Sequence, residues 1–348
     1  MRRARALAAG AALSIGCATL ADGEAGLDNP PSARAGPFRL FRIGEIGQER
    51  AAPYVMDEQD LGLRDASVID ADGDPKTPGV EGYFAAVAEG APPGSPPSSI
   101  LRVLAADGRS FFRTYEPVLT AERAWEAGTI GAPSAMLLGR TRRLYYAGGA
   151  GVGRAESTDG APFAAGDAPV LDAAAVPWAD GPPRSPGVAR LPDDRFVMFF
   201  EADQGGRQVI GYAESADGLN WTADAGGPVI APGPPGALDE RFVGSPQPVV
   251  ATSAQGRTVL YVYYAARGAD DKQLIAMAAS FLDGDIELVR SDSAMFTPTS
   301  RVDPREPSVV RFETFTFLYV SQLRGPGQTD VVTAAGVAPG NPSLPPAQ

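Results

Sequence analysis

A short phrase that returns five times constrains the fold of this chain more than any other feature of its sequence. Each copy has alanine or proline as its second residue and leads into an apolar run. The second residues of the five copies are Ala66, Pro133, Pro186, Pro246 and Pro307, so consecutive copies lie 67, 53, 60 and 61 residues apart. Self-similarity of this kind indicates a repeat architecture, in which one unit recurs and packs against its neighbours.

An Asp-Gly pair, typical of a tight turn, recurs between the copies. The pairs begin at Asp107, Asp159, Asp217 and Asp283, and three of them are followed by a Pro-Val-Leu or Pro-Val-Ile segment. Runs of β-branched and aromatic residues separate these turns, and beyond the first residues no long segment keeps a helical period. Each repeat therefore predicts four strands.

Five such units predict an all-β chain folded as a five-bladed β-propeller with four-stranded antiparallel blades. The predicted propeller spans residues 37–340, with blades over 60–120, 131–172, 184–231, 244–298 and 305–337. Residues 38–43 mix apolar and basic side chains and are a candidate for the strand that closes the ring, with 330–336 as the other candidate. A β-sandwich is the alternative fold.

The composition excludes several classes of chemistry. A net charge of −12 argues against nucleic acid and anionic lipid surfaces as partners. The chain has no histidine, and its one cysteine is Cys17, so catalytic triads that need histidine, histidine-ligated metals and internal disulfides are not available. Any acid–base chemistry must come from Asp, Glu, Tyr or Lys.

The first 17 residues have the pattern of a bacterial export signal. Arg2, Arg3 and Arg5 precede an apolar stretch over 6–15 that is too short to span a membrane. Residues 14–17 resemble a lipobox that ends at Cys17, while 19–21 offer an ordinary cleavage site. We expect an exported envelope protein that is lipid-anchored through Cys17, or otherwise periplasmic or secreted. Residues 18–36 have the composition of a flexible tether.

The third repeat carries a resemblance to a known family. It has Ser185-Pro186-Gly187-Val188, an aromatic second strand that ends at Glu201, the run from Ser215 to Trp221 around Asp-Gly, and Pro228-Val229-Ile230. This pattern resembles the five-bladed propellers of the arabinanase, invertase and levansucrase superfamily. The resemblance covers about residues 60–335. It implies a glycoside hydrolase or related transferase with three carboxylates near the ring axis.

Asp65 matches the first of the three carboxylate positions that this resemblance implies. The second position falls at 131–134, which is Gly-Ala-Pro-Ser, and the third falls at Arg184, so neither position is acidic. Two other acids are candidates by position. Glu201 ends the second strand of its repeat and should lie beside Arg184 at the axial edge, where other repeats have Ala147, Ala265 and Ser321. Glu306 opens the fifth repeat beside the first.

Two functional hypotheses follow. In the first, the protein is glycoside-hydrolase-like and acts on or binds a glycan in the axial pocket with Asp65, Glu201 and Glu306 as catalytic candidates. In the second, it is a catalytically inactive propeller that binds glycans or another protein. For each acid, a solvated or salt-bridged strand end is the alternative.

The remaining candidates concern ligand contact. Arg184, Arg267 and Arg305 could bind sugar hydroxyls or a uronate carboxylate, or neutralise nearby acids. Trp125 and Trp178 could stack on sugar rings or pack between blades. Asp70, Asp72, Asp74 and Glu81 occupy four positions of a calcium loop, but proline at 75 breaks its pattern, so a plain acidic turn is the alternative and no metal or other cofactor is required. We expect a monomer whose partner is a carbohydrate.

Overall fold

The computed structural model describes residues 5–6, 36, 38–40, 54–55, 62–298 and 303–337, apart from 78, 89, 93, 109–110, 253–256, 313–314 and 326–327. Within this part of the chain the long strands form five antiparallel sheets, each built from strands that follow one another in sequence. We number the sheets 1 to 5 in chain order.

Sheets 1 and 2 follow each other directly. Sheet 1 consists of the strands Arg64–Asp70, Val80–Ala86, Ser99–Ala105 and Phe112–Thr120. Sheet 2 consists of Ile130–Leu138, Thr141–Gly148, Gly151–Thr158 and the two short strands Ala164–Ala165 and Leu171–Asp172. The 3₁₀ turn Ala124–Glu126 connects the two sheets.

The other three sheets repeat this plan. Sheet 3 consists of Arg184–Arg190, Phe196–Gln204, Arg207–Ser215 and Thr222–Ala223. Sheet 4 consists of Phe242–Thr252, Thr258–Arg267, Gln273–Phe281 and Glu287–Arg290, with Arg5–Ala6 paired in parallel to its last strand. Sheet 5 consists of Arg305–Arg311, Phe315–Gly325 and Gln328–Val337, with Arg39–Leu40 and Tyr54–Val55 paired antiparallel to its last strand.

The first strands of the five sheets surround a common axis. Each first strand contacts the first strand of the next sheet, and the first strand of sheet 5 contacts that of sheet 1. The protein is therefore an all-β propeller of four-stranded antiparallel sheets, and the alternative of two packed sheets is wrong. Arg39–Leu40 falls within the 38–43 segment that was predicted to close the ring.

The hydrophobic core lies between neighbouring sheets. Five clusters of buried side chains occupy the interfaces 1/2, 2/3, 3/4, 4/5 and 5/1. A strand covered by a sheet on each face is apolar almost throughout, which explains why Phe196–Gln204 is buried over its first seven residues instead of alternating. Such strands place their polar residues at the ends, at the axial and outer edges.

One position in the strand register connects the phrase that returns five times with the Asp-Gly turns. The second strand of every sheet has an aromatic residue there, namely Tyr83, Tyr145, Phe199, Tyr263 and Tyr319. The Tyr145 hydroxyl donates to the Gly218 carbonyl at 2.6 Å, and Tyr319 donates to Gly108 at 2.8 Å. In both cases the Asp-Gly turn of one sheet is therefore held by a tyrosine of the sheet before it.

The predicted signal peptide and tether, including Cys17, lie outside the described residues except for Arg5–Ala6 and Gly36. In the part of the chain that is described, no helix has the length and apolar character needed to cross a bilayer.

Candidate axial site

The first strand of every sheet begins with an unusual backbone conformation. Five non-glycine residues have a positive φ there: Asp65 at 54°, Ala132 at 44°, Ser185 at 47°, Ser245 at 48° and Glu306 at 50°. We call these the axial residues. A β-bulge follows each of them, since the pairing with the second strand shifts by one residue at that point. The left-handed region costs L-residues about 1–2 kcal/mol, so its fivefold recurrence indicates that other contacts hold it.

The axial residues line an open depression on the ring axis. The empty space along its wall is about 330 Å³, and this figure includes open solvent. The residues that follow the axial residues complete its wall: Ala66, Pro133, Pro186, Pro246, Gln247 and Pro307. Among the described residues of this lining, Asp65 and Glu306 are acidic and none is basic.

Three carboxylates join neighbouring sheets at this depression. The backbone N–H of Asp65 donates to Glu306 Oε2 at 2.8 Å, and the N–H of Ala132 donates to Asp65 Oδ2 at 3.0 Å. The N–H of Ser245 donates to Glu201 Oε1 at 2.5 Å. Each bond leads from an acid of one sheet to the axial amide of the next sheet. The acids thus hold the strained axial backbone in place.

Asp65 and Glu306 also interact with each other. Burial raises the pKa of Asp65 well above its ordinary value of 3.8, and the charge of Glu306 and a hydrogen bond between the two carboxyl groups raise it further. The amide of Ala132 and the charge of Arg64 oppose this rise without cancelling it. The carboxylate of Glu306 beside Asp65 therefore disfavours the ionised form of Asp65.

Glu201 lies where the strand pairing predicted it. It is opposite Arg184 in the register, and the Arg184 Nε lies 3.2 Å from its Oε2. Its Oε1 also accepts the Ser245 hydroxyl at 3.2 Å. Burial raises the pKa of Glu201, while the charge of Arg184 and hydrogen bonds from Ser245 and Ser185 act in the opposite direction. Glu201 is 6% exposed and does not line the depression.

The three predicted ligand-binding arginines have partners within the protein. Arg184 makes a two-pronged ion pair with Asp203 at 2.8 and 2.9 Å in addition to its contact with Glu201. The other two pairs are looser, Arg267 with Asp271 and Arg305 with Asp303, each at 3.3 Å. None of the three arginines lines the depression. The structure therefore places them in ion pairs around the site and not in its wall.

The two predicted stacking tryptophans occupy matching slots in the sheets. Trp125 lies against Tyr146 and over Gly153, and Trp178 stacks on Phe200 and lies over Gly211. A Cβ atom at Gly153 would come within 2.3 Å of Trp125, and one at Gly211 within 2.9 Å of Trp178. Neither tryptophan lines the axial depression.

The four acids of the candidate calcium loop have partners within the protein. Asp70 accepts the amides of Asp72 and Gly73, and Asp72 accepts the amide of Asp74 and the Thr77 hydroxyl. Glu81 is instead fully buried and bound by the guanidinium groups of Arg102 and Arg142 at 2.6 and 2.8 Å. The carboxylates of this turn cap its own backbone, and no group of three potential ligands is gathered for a metal within the described residues.

A second set of bonds between sheets was missed at the level of the sequence. The Ser308 Oγ accepts the Val68 N–H at 2.9 Å, Ser67 accepts Ala135 at 2.8 Å, and Ser134 accepts Val188 at 3.0 Å. These serines are the third residues of three copies of the recurring phrase. Their shared position was a usable signal, because a polar residue repeated at one place in a buried strand needs a partner.

Comparisons with known proteins agree on the fold. No family model and no curated protein matches the chain. Among solved structures, a glycosyl hydrolase from Bacteroides ovatus is 14% identical, with a TM-score of 0.61 over 92% of this chain and 98% of its own. A second structure is 15% identical, with a TM-score of 0.63 over 90% of this chain and 96% of its own. It comes from the GH130 family of mannoside phosphorylases, which contains glycoside hydrolases that target β-1,2 mannosidic linkages in Candida mannan.

A thermostable family-43 glycoside hydrolase is also 15% identical, with a TM-score of 0.61 over 82% of this chain and 96% of its own. At these identities the likeness concerns the fold alone. The protein has the fold of the glycoside hydrolase β-propellers, and the chain spans nearly the full length of these neighbours. Its activity has to be argued from the axial site.

Proposed function

We propose that the protein is an exported, carbohydrate-binding propeller in which each of the five sheets is one blade, and which holds a neutral glycan at its axial depression without hydrolysing it. The observation that carries this proposal is the position of Asp65 and Glu306, the two acids of the described lining, where the Glu306 carboxylate accepts the Asp65 backbone N–H at 2.8 Å. The fold, which is shared with glycoside hydrolases, supports a carbohydrate ligand.

Glycoside hydrolysis by two carboxyl groups needs space between them. The groups stand about 5–5.5 Å apart in retaining enzymes and about 6.5–9.5 Å apart in inverting enzymes, because the scissile bond or a water molecule lies between them. We infer that Asp65 and Glu306 are too close for this, because Glu306 accepts the Asp65 N–H at 2.8 Å and its charge raises the pKa of Asp65. Glu201 is bound by Arg184, Ser185 and Ser245 and lies outside the lining.

The pair of acids is suited to binding sugar hydroxyl groups. Asp65 and Glu306 offer several acceptor oxygens, and the raised pKa of Asp65 favours the protonated form that can also donate. A sugar hydroxyl both donates and accepts. The pair also repels a ligand carboxylate, since no basic side chain of the described lining offsets its charge. A neutral sugar therefore fits this depression better than a uronate.

One observation favours a second candidate function. A general acid must be protonated at the working pH, and the raised pKa of Asp65 favours its protonated form. In this alternative Asp65 protonates the leaving-group oxygen as the glycosidic bond breaks. The anomeric carbon is then attacked by water, or first by a group of the substrate that water displaces, and the proton that water loses returns to Asp65. The alternative predicts turnover that disappears in Asp65→Asn.

Location and assembly belong to the same proposal. The basic and apolar leader of residues 1–17 supports export, and the lipobox-like residues up to Cys17 support a lipid anchor in the bacterial envelope. We propose that the ring acts as a monomer, since all five interfaces between first strands are formed within one chain.

The proposal is tested by titrating purified protein with mannobiose, galactobiose, arabinobiose and the acidic control digalacturonate. Calorimetry would measure binding, and chromatography of the same samples would measure cleavage. We expect at least one neutral disaccharide to bind, digalacturonate not to bind, and no disaccharide to be cleaved. Asp65→Asn should weaken binding, whereas Asp285→Asn, a change at an exposed hairpin, should not. Cleavage that is lost in Asp65→Asn would replace this proposal with the hydrolase alternative.

A further inference from the structure

The interface between sheets 2 and 3 differs from three of its counterparts around the axis. At the interfaces 5/1, 1/2 and 3/4, a carboxylate of the preceding sheet accepts the axial amide of Asp65, Ala132 or Ser245. At the interface 2/3, the corresponding amide is that of Ser185. Its φ of 47° is nearly the same as the 48° of Ser245, so the two backbones are in the same conformation.

Sheet 2 has no side chain that can take the place of those carboxylates. The acids come from two register positions: either the axial residue itself, as in Asp65 and Glu306, or the residue opposite the one that precedes the axial residue, as in Glu201. In sheet 2 these positions are Ala132 and Ala147, the latter paired with Gly131. A methyl group accepts no hydrogen bond, so sheet 2 leaves the place beside Ser185 without an acceptor from either position.

This place is open to the axial depression. Ala132 and Ser185 both line it, and neither residue is buried. The Ser185 hydroxyl is directed to Glu201, which leaves the backbone N–H as the donor at this interface. We propose that the interface 2/3 is a subsite in which the Ser185 N–H donates to a hydroxyl oxygen of a neutral sugar. That oxygen accepts the Ser185 N–H in the same way as a carboxylate oxygen of Glu201 accepts the Ser245 N–H.

This subsite rests on the proposed function, and the ligand group that reaches it is a sugar hydroxyl. A hydroxyl oxygen fits better than a carboxylate for two reasons. One backbone N–H supplies a single neutral donor, whereas the Glu201 carboxylate in the matching place is also paired with Arg184. The same depression contains Asp65 and Glu306, which repel an anion. The interface 4/5 also lacks an acid, but its amide belongs to Glu306 itself and lies next to that carboxyl group.

Two substitutions at Ala132 test the subsite. Ala132→Asn places a side-chain carbonyl where Asp65 has its carboxylate in sheet 1, and that carbonyl would occupy the Ser185 N–H. Ala132→Gly is the matched control, because it leaves the place empty. Both residues accept a left-handed φ better than alanine, so neither change is expected to impair folding. The ligands are mannobiose, galactobiose and arabinobiose, and calorimetry measures the affinity.

We expect Ala132→Asn to weaken binding by about tenfold, as for the loss of one hydrogen bond, and Ala132→Gly to weaken it less, because glycine adds no acceptor beside Ser185. In the parent and the glycine variant, the ligand should also slow hydrogen exchange of the Ser185 amide, which simple crowding by asparagine would not explain. Binding that is equal in all three proteins, or an unprotected Ser185 amide, would overturn the subsite and leave the proposed function intact. If the parent binds none of the three sugars, both are wrong.

Discussion

At the scale of single residues, each acid at the axis accepts a backbone amide of the neighbouring sheet. Asp65 accepts one axial amide and donates its own amide to Glu306, whose charge raises the pKa of Asp65. Two bonds at one aspartate explain why a carboxyl group stays in a place that raises its pKa. Burial that disfavours the charged form is offset by bonds that no apolar side chain could make.

The Asp65 pair makes stability depend on pH. Because the folded-state pKa of Asp65 is raised, its contribution to stability is complete below its ordinary value of 3.8 and is lost as the pH rises through the raised folded-state pKa. Asp65→Asn cannot release a proton, so the variant should be less sensitive to pH and more stable than the parent at neutral pH. Urea unfolding across this pH range measures both, with Asp285→Asn as control. A parent and variant with parallel pH profiles would contradict the raised pKa of Asp65.

At the scale of the element, the serine bonds and the tryptophan slots hold neighbouring sheets together. Ser67→Ala and Ser134→Ala each remove the acceptor of one amide at an interface between first strands. Each should lower the free energy of unfolding by about 1–3 kcal/mol, because a buried N–H is left without a partner. Ser293→Ala is the control for urea unfolding, because Ser293 is exposed and bonds to Ser291 through backbone atoms alone within the described residues. No difference between these variants would mean that the serine bonds contribute nothing.

The slots make a second prediction at this scale. Gly153→Ala and Gly211→Ala each put a methyl group into space that a tryptophan ring occupies. Such overpacking typically costs about 1–3 kcal/mol, and the displaced indole should change the fluorescence of the folded protein. At Gly181 nothing lies within 4 Å of the added atom, so Gly181→Ala should have neither effect. If Gly153→Ala is as stable as the parent, Trp125 is free to move, and a role in ligand contact becomes possible again.

The sequence predicted the elements better than the contacts between them. Recurring phrases and turns indicate the strands, and the pairing of strand ends was enough to place Glu201 opposite Arg184. The contact of Asp65 with Glu306 joins residues 241 positions apart, and its closeness depends on how the first and last sheets meet. The slots were missed because their signal is split between a tryptophan in one loop and a glycine in a strand more than 25 residues later.

At the scale of the whole molecule, the leader predicts where the protein resides. If Cys17 carries a lipid, the protein should partition into membrane fractions, and Cys17→Ala should be released as soluble protein. Fractionation of cells that produce either form measures this, and the predicted export of the propeller should be the same in both. Unchanged partitioning of Cys17→Ala would exclude the anchor.

The central proposal is that this ring, which has the fold of glycoside hydrolases, binds a neutral sugar on its axis and leaves it intact. One NMR titration of isotope-labelled protein with mannobiose, galactobiose and arabinobiose tests this most directly, because it follows the protein and the sugar in the same sample. We expect saturable chemical-shift changes at the five axial amides, with sugar signals that do not change over time. The axial amides are those of Asp65, Ala132, Ser185, Ser245 and Glu306. New anomeric signals from cleaved sugar, or shifts confined to other parts of the ring, would contradict it.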